Sequence, residues 1–233
     1  MNVLITAGGT TERIDKVRGI SNFSTGKLGA KIAEAFASNL GVGTVYYVHS
    51  QDAQMPKFKE KIRTEEFSDV ASLQRSTTEL LRKHDIDAVI HCAAVSDYTV
   101  SKVLDPNGKR LPRNAKIGSN MAELTVMLKP TPKVISQFHQ ISPKTKIIGF
   151  KLLSDVSNKE LLAAASQLLV DNQCEYVLAN RLEDIDKKNH TAQLVGKDGV
   201  IAAYNTKDDI ARGLVEALGL ETIRHKHTIR HNF

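Results

Sequence analysis

Three short polar segments carry residue types suited to binding a phosphorylated ligand. The first, AGGT at 7–10, follows an apolar run, and its glycines allow positive φ angles and a close approach of the backbone to a ligand. The second, RGISNFSTGKLG at 18–29, leads into a helical pattern with Ser24 or Thr25 as the expected N-cap. The free N–H groups and dipole of such a helix start attract anions. The third, AAVSDY at 93–98, ends another apolar run. Together they indicate a mononucleotide- or phosphate-binding protein.

General nucleotide signatures do not account for these segments. A Walker A loop fails because Lys27 is followed by Leu28 and because residue 21 is serine, and the dinucleotide fingerprint GxGxxG is absent after the first apolar run. Taken singly, Gly8 and Gly9 also fit an ordinary strand–helix turn, and residues 24–29 also fit a plain helix cap. The meaning of the segments therefore depends on their combination.

Apolar runs alternate with helical periods around these segments. The pattern predicts strands at 1–7, 44–48, 61–63, 87–92, 122–128, 145–152 and 175–179, and a terminal hairpin of 190–195 with 200–204. It predicts helices at 25–39, 68–83, 132–140, 157–171 and 206–218. The run at 87–92 lacks polar alternation, as expected for a strand covered on both faces of a parallel sheet. We therefore predict an α/β, Rossmann-like doubly wound fold with a mostly parallel sheet, whose ligands bind at the carboxyl ends of the strands.

One long segment departs from this alternation. Residues 98–120 are polar and basic, contain the turn signal DPNG and show no helical period. We predict a flap that follows the central strand, with a disordered insertion as the alternative. No linker divides the chain, so residues 1–220 are expected to form one nucleotide-binding α/β domain followed by a basic C-terminal tail at 221–233.

Composition narrows the class of protein. The chain has 233 residues, 41% hydrophobic and 25% charged, and a net charge of +6. Half of that excess lies in the last twelve residues, where Arg224, Lys226 and Arg230 occur without an acidic residue, so the charge does not by itself indicate a nucleic-acid partner. No apolar run approaches the roughly 20 residues of a membrane span. Cys92 and Cys174 lie in apolar runs, as expected in a reducing compartment. These features predict a cytoplasmic protein.

In combination and in this order, the three segments resemble the phosphopantothenoylcysteine synthetases (phosphopantothenate-cysteine ligases). The resemblance extends to KI at 116–117, KPTP at 129–132, GFKL at 149–152 and AN at 179–180, and so covers most of the chain. In many bacteria this domain follows an FMN-dependent decarboxylase. Because this chain begins at the first strand of the synthetase, the resemblance implies a stand-alone bacterial form without flavin.

The family implies a reaction in coenzyme A biosynthesis. A nucleoside triphosphate, CTP in most bacterial members, activates the carboxylate of 4′-phosphopantothenate as an acyl-nucleotidylate with the assistance of Mg²⁺. The amine of L-cysteine then attacks, which gives 4′-phosphopantothenoylcysteine. Such catalysis depends mainly on positioning anions and neutralising charge.

The resemblance also implies residue roles. Asn22 and Lys116 are the expected catalytic residues, the first binding phosphopantothenate or its acyl-nucleotidylate and the second closing over the site. Arg18, Ala93 and Ala94 complete the substrate pocket, which is partly supplied by a second subunit of a homodimer. The nucleotide is expected to contact Gly8, Ser24, Gly26, Gly29, Asp97, Lys116, Phe150 and Asn180. No metal ligand is assigned.

Departures from the family pattern bear on the choice of nucleotide. Lys151 and Leu152 resemble the ATP-using eukaryotic form, and two lysines that contact the triphosphate in many bacterial members align with Leu168 and Asn172. The short chain without an organelle signal favours CTP. Two other classes stay open: a short-chain NAD(P)-dependent oxidoreductase, which lacks its glycine fingerprint here, and a non-enzymatic nucleotide- or nucleic-acid-binding module. For the latter the sequence offers a basic flap and tail but no helix-turn-helix, aromatic RNA-binding strand or arginine-rich run.

Overall fold

A computed structural model describes residues 1–57, 60–186 and 188–221. Its strands are β1 (Asn2–Ala7), β2 (Thr11–Arg13), β3 (Gly19–Ser21), β4 (Thr44–Ser50), β5 (Ile62–Phe67), β6 (Ala88–His91), β7 (Tyr98–Leu104), β8 (Thr125–Pro130), β9 (Lys146–Leu153), β10 (Tyr176–Arg181), β11 (Ala192–Gly196) and β12 (Gly199–Tyr204). Its helices are α1 (Lys27–Ala37), α2 (Val70–Lys83), α3 (Phe138–Ile141), α4 (Asn158–Asp171) and α5 (Lys207–Ala217), with 3₁₀ turns at Val134–Gln137 and Leu182–Asp184.

The central sheet has eight strands in the order β12-β11-β10-β9-β6-β1-β4-β5. The six strands from β10 to β5 are parallel, and β11 and β12 add an antiparallel hairpin at one edge. The predicted α/β doubly wound, mostly parallel sheet is confirmed. Because β11 runs opposite to β10 and β12 opposite to β11, β12 ends at the same edge as the parallel strands.

Helices cover both faces of this sheet. On one face, α1 and α5 pack over alternate residues of the strands, with Ile32 and Leu214 fully buried. On the other face, α2 and α4 cover a second core that contains Leu73 and Leu161. Capping boxes at Asp69 and Ser157 fix where α2 and α4 begin, because each side chain satisfies a free N–H group of the first turn.

An arm projects from the carboxyl edge of the sheet. It consists of β7, β8 and the connecting residues 105–124, and β7 pairs antiparallel with β8. The predicted flap at 98–120 lies within this arm, and its first seven residues form strand β7 rather than irregular chain. Val100, Val103 and Ile117 form a small apolar core of their own inside the arm. The arm is therefore a packed ribbon with an irregular end.

Two further predictions concern the C-terminal tail and membrane-spanning helices. Apart from Glu221, the predicted tail at 221–233 lies outside the described residues. Of the helices in the described part of the chain, none is long and apolar enough to cross a membrane.

Candidate active site

The loops that follow β1 and β6 meet at the carboxyl edge of the sheet. The N–H group of Ala94 donates to the carbonyl of Gly8 at 2.8 Å, and that of Thr10 donates to the carbonyl of Ala94 at 3.1 Å. The Thr10 hydroxyl then accepts the N–H group of Ser96 at 2.9 Å. These bonds bring the first and third polar segments together, as their positions after parallel strands predict.

The second polar segment joins the same place through Asn22. Its Nδ2 atom donates to the carbonyl of Val95 at 3.2 Å, and its backbone N–H group donates to the carbonyl of Thr10 at 3.3 Å. The amide of Asn22 is therefore held between the loops after β1 and β6. All three segments thus meet at one edge of the sheet.

A buried carboxylate connects this segment to the arm. Asp15 is 1% exposed, and its Oδ2 atom accepts the N–H group of Ile117 at 3.0 Å and the guanidinium of Arg18 at 2.6 Å. Its Oδ1 atom accepts the N–H groups of Val17 and Arg18 at 2.8 and 2.9 Å. Arg18 also donates to the carbonyl of Ile117 at 2.8 Å. We call this group, Asp15 and Arg18 around the peptide groups of Ile117, the clamp.

The hydrogen-bond donors around Asp15 keep its carboxylate ionised. The hydrogen-bonded guanidinium of Arg18 holds the pKa of Asp15 well below its usual range, with the N–H groups of Val17, Ile117 and Arg18 acting in the same direction against desolvation. Arg18, predicted to bind substrate, therefore already pairs with Asp15 in this structure. The sequence does not single out Asp15, since an aspartate beside Lys16 and close to Arg13 and Arg18 looks like a solvated residue.

Arg113 gives the arm a second attachment. Its guanidinium donates to the carbonyls of Val100 at 2.7 Å and Ile14 at 3.2 Å. Lys116 lies between Arg113 and Ile117, and its side chain is exposed. The clamp and Arg113 together fix the backbone on both sides of this predicted catalytic lysine.

A cavity of about 320 Å³ lies beside the loop after β1. Three predicted site residues line it, namely Arg18, Asn22 and Ser24. Arg13 and Lys16 also line the cavity, together with Asp52, so basic side chains outnumber acidic ones around an opening large enough for part of a phosphorylated substrate. Ala93, Ala94 and Lys116 are not among its lining residues.

The start of α1 differs from the prediction. Gly26 is the N-cap with a φ of 67°, and no side chain of the described residues caps the helix. A Cβ atom at Gly26 would lie 2.7 Å from that of Ala53, so both backbone angle and packing require glycine. The expectation that Ser24 or Thr25 caps the helix is therefore wrong; the Ser24 hydroxyl only accepts the Gly26 N–H group at 3.4 Å. The first N–H groups of α1 remain available to an anion.

Gly29 lies one turn further along α1 and faces β1. A Cβ atom there would lie 2.5 Å from the Cβ atom of Ala7. This glycine lets α1 approach the sheet closely, which is a packing role that needs no ligand.

Two predicted nucleotide contacts lie together on the α1 and α5 face of the sheet. Phe150 and Asn180 continue the alternation of Ile148 and Leu178, whose side chains lie in the core under these helices. Asn180 is 6% exposed, and its Nδ2 atom lies 3.4 Å from Nε2 of His190. Burial, followed by the nearby charge of Lys207, lowers the pKa of His190 to about 4, so the imidazole is neutral at pH 7.

Two further positions considered in the sequence analysis, that of Asp97 and that of the pair Leu168 and Asn172, have other surroundings. Asp97 is exposed at the base of the arm and forms an ion pair with Lys133. Leu168 and Asn172 lie at the end of α4, which leads into the amino end of β10, at the opposite edge of the sheet from Asn180. The absence of lysines at Leu168 and Asn172 therefore does not affect the charge around Asn180.

The described residues contain no group of three His, Cys, Asp or Glu side chains placed to hold a metal ion. Of the two aspartates that line the cavity, Asp15 is already saturated by N–H donors and Arg18, which leaves Asp52 as a single carboxylate and does not fit a resident metal centre. An Mg²⁺ ion that accompanies a nucleotide would therefore take its ligands mainly from the phosphate groups and from water.

Comparisons with known proteins identify relatives of this chain. The chain is 32% identical to the coenzyme A biosynthesis bifunctional protein CoaBC of Thermococcus kodakarensis over 84% of this chain and 45% of that protein. It is 34% identical to the protein of the same name from Methanocaldococcus jannaschii over 77% of this chain and 40% of that protein. The chain thus spans less than half the length of these curated relatives.

A solved structure is similar along nearly the whole chain. The crystal structure of the DNA/pantothenate metabolism flavoprotein from Streptococcus pneumoniae superposes with a TM-score of 0.84 and 34% identity, covering 94% of this chain and 98% of that one. The sequence profile of the DNA/pantothenate metabolism flavoprotein C-terminal domain matches residues 1–220. The chain therefore belongs to the DNA/pantothenate metabolism flavoprotein C-terminal domain family.

Proposed function

We propose that this chain is a phosphopantothenate-cysteine ligase, which joins 4′-phosphopantothenate and L-cysteine at the expense of CTP or ATP. The observation that carries the proposal is the meeting of three polar segments at the carboxyl edge of the sheet, with Asn22 held between the loops after β1 and β6. Family membership supports it, as do two relatives named as coenzyme A biosynthesis proteins. Neither of the two other classes receives support from these comparisons.

The proposed reaction has two steps. A carboxylate oxygen of phosphopantothenate attacks the α-phosphorus of the nucleotide, the bond between this phosphorus and the bridging oxygen breaks, and pyrophosphate leaves. The amine nitrogen of cysteine then attacks the acyl carbon, the acyl carbon–oxygen bond breaks, and the nucleoside monophosphate leaves while the amine loses a proton. Mg²⁺ bound to the triphosphate neutralises part of the phosphate charge.

The protein's own groups position these anions. Asn22 presents an amide that donates to the acyl or carboxylate oxygen without adding a competing nucleophile. Lys116 places its ammonium group over the reacting phosphate when the arm lies closed, because the clamp and Arg113 hold its backbone. Ala93 and Ala94 leave room for the substrate against the backbone beside β6. These roles stay predictions for the experiments below.

The proposal includes a homodimer. Val17, Ile20 and Phe23 are large apolar residues exposed around the β2–β3 hairpin, and Tyr98, Met127 and Leu128 are exposed on the arm. Exposed apolar groups near a substrate pocket are typical of a surface that a second subunit covers. Sedimentation equilibrium is expected to give a dimer, and a monomer at micromolar concentration would contradict this part of the proposal. The two free cysteines accord with a cytoplasmic enzyme.

Pyrophosphate release tests the function. Purified protein with Mg²⁺ and 4′-phosphopantothenate is supplied with CTP or with ATP, each with and without cysteine. We expect pyrophosphate only when phosphopantothenate is present, CTP to be the better nucleotide, and cysteine to be required for release of the monophosphate. No pyrophosphate with either nucleotide would overturn the proposal.

A further inference from the structure

Two helices begin side by side at the carboxyl edge of the sheet. α1 follows the loop after β1, and α5 follows β12, which ends at the same edge, so both amino ends face the same way. The helices share one core, and each has eleven residues. Lys27 is the first residue of α1 and Lys207 is the first residue of α5. The positive end of each dipole therefore adjoins a lysine. The two starts differ, because the first turn of α5 also carries Asp208 and Asp209 and is capped by the Thr206 hydroxyl, whereas no side chain in the described part of the chain caps α1.

The positive charges at these helix starts are incompletely paired. Lys31, one turn along α1, forms an ion pair with Asp208 at 2.5 Å. No carboxylate of the described chain lies within ion-pair distance of Lys27 or Lys207. Burial, Lys27 and Lys31 lower the pKa of Lys207, and the charges of Asp186 and Asp208 offset this only in part. A half-buried lysine among like charges is stabilised when an anion binds.

The neighbouring strand ends provide an unused hydrogen-bond donor. His190 is 6% exposed, and its Nδ1 atom has no partner among the residues that the structure describes. The Nδ2 atom of Asn180 only donates, so Nε2 of His190 accepts and the ring proton lies on Nδ1. The backbone N–H group of His190 donates to the carbonyl of Asn205 at 2.8 Å, which fixes this ring close to the start of α5. A buried N–H donor without an acceptor is expected to bind one from a ligand.

We propose that Lys207 and Lys27 bind the phosphate groups of the nucleoside triphosphate, with the start of α1, Asn180 and His190 completing the same site. This inference rests on the proposed function for the identity of the ligand. Phe150, on the strand next to Asn180 and on the same face, lies where the rest of the nucleotide would extend. Two lysines and the start of α1, which no described side chain caps, suit a ligand with several negative charges, in preference to a monophosphate.

Equilibrium binding separates this inference from the ligase proposal, because it needs neither phosphopantothenate nor turnover. Isothermal titration of CTP, ATP, CMP and inorganic tripolyphosphate is performed on the wild-type protein and on Lys207→Gln. We expect Lys207→Gln to weaken CTP, ATP and tripolyphosphate about 10- to 30-fold and CMP less than threefold, since one charge-assisted contact is lost. Lys27→Gln is expected to weaken the triphosphates about fivefold.

Two control variants keep the test decisive. Lys207→Arg retains the charge and is expected to bind CTP within about threefold of the wild type, whereas a merely structural role would not be rescued in this way. Lys146→Gln removes an exposed lysine from the amino edge of the sheet and is expected to change nothing. Triphosphate affinity within twofold of the wild type in Lys207→Gln, with an unchanged melting temperature, would overturn the inference. Wild-type protein that binds triphosphates but releases no pyrophosphate would instead overturn the ligase proposal.

Discussion

The two charged regions at the carboxyl edge of the sheet differ in how their charges are satisfied. In the clamp, the carboxylate of Asp15 and the guanidinium of Arg18 pair with each other and with the peptide groups of Ile117. At the starts of α1 and α5, Lys27 and Lys207 have no such partner among the described residues, and Nδ1 of His190 has no acceptor. The first region is complete without a ligand, and the second is not.

This difference separates two uses of charge. Buried charges with a full set of hydrogen bonds define one geometry, and the clamp uses them to hold the arm over the loop that carries Asn22. Unpaired like charges raise the free energy of the ligand-free protein. A bound anion relieves this repulsion, so the helix starts favour nucleotide binding. We therefore expect substitutions in the clamp to affect geometry and turnover, and substitutions at the helix starts to affect nucleotide affinity.

The largest effect is expected from Lys116, whose backbone the clamp holds. Lys116→Gln removes the ammonium group proposed to stabilise the charge of the transition state, and kcat is expected to fall about 100- to 1000-fold with little change in nucleotide affinity. Steady-state pyrophosphate release measures it. Lys109→Gln, an exposed lysine of the same arm, is the matched control and should turn over normally. A normal rate for Lys116→Gln would make this residue ordinary surface.

At the helix starts, the neutral imidazole of His190 is expected to make the stability of the protein depend on pH. Its pKa is lowered to about 4 in the folded protein, below the unfolded value of about 6.5, so the unfolded chain binds a proton first as the pH falls. The contribution of His190 to stability is thus fully present above about pH 6.5 and is lost as the pH falls towards 4. The ligand-free wild type should lose about 3 kcal/mol more free energy of unfolding over this range than His190→Gln. Parallel profiles from urea denaturation would contradict a neutral buried ring.

Asn22 lies between Arg18 and Lys27 in the sequence and tests the substrate side directly. Asn22→Asp places a carboxylate beside the carboxylate or phosphate of the bound intermediate, so kcat/KM for phosphopantothenate is expected to fall about 30-fold, which corresponds to about 2 kcal/mol. Asn107→Asp, in the exposed turn of the arm, is the control. Competition between phosphopantothenate analogues and the natural substrate gives the affinity. Unchanged turnover in Asn22→Asp would remove Asn22 from the site.

Local patterns predict the parts of the fold that depend on local sequence. The apolar run that becomes β6 and the helical spacing in α1 and α4 lead directly to buried faces, and each element is where the pattern places it. Strand β7 was missed because its pairing with β8 spans the irregular residues 105–124 and includes a register shift after Val100. The three-residue strands β2 and β3 are too short to produce an apolar period.

The same holds for the site, where local motifs indicate some residues and contacts between distant positions determine others. Residues in glycine-rich or amide-bearing motifs, such as Asn22 and Gly26, are visible in the sequence because their types suit a ligand. Asp15 is not visible, because it acts through Ile117, and that contact joins positions 102 residues apart. Lys207 is likewise separated in sequence from Lys27, and only the shared direction of α1 and α5 brings them together.

The smallest of these effects on activity, and the sharpest test of the comparison, comes from Asp15→Asn. The variant removes the charge that pairs with Arg18, while the amide retains one acceptor for the two groups that Oδ2 now serves, the guanidinium and the Ile117 N–H group. We expect the arm to open more often, so that kcat/KM for phosphopantothenate falls about tenfold and trypsin cleaves faster after Lys116. Asp198→Asn, at the exposed β11–β12 turn, is the control.

Two further readouts of Asp15→Asn decide between coupled and independent regions. Because the pKa of Asp15 is lowered in the folded protein, its stabilising effect is present above the unfolded value of about 4 and is lost only as the pH falls below it, so wild type and variant should converge in stability in acid and not near pH 7. CTP affinity should stay within twofold of the wild type, since no clamp residue lies at the starts of α1 and α5. A variant that lost nucleotide binding together with turnover would show that the clamp also supports the helix starts, and the two regions would then act as one.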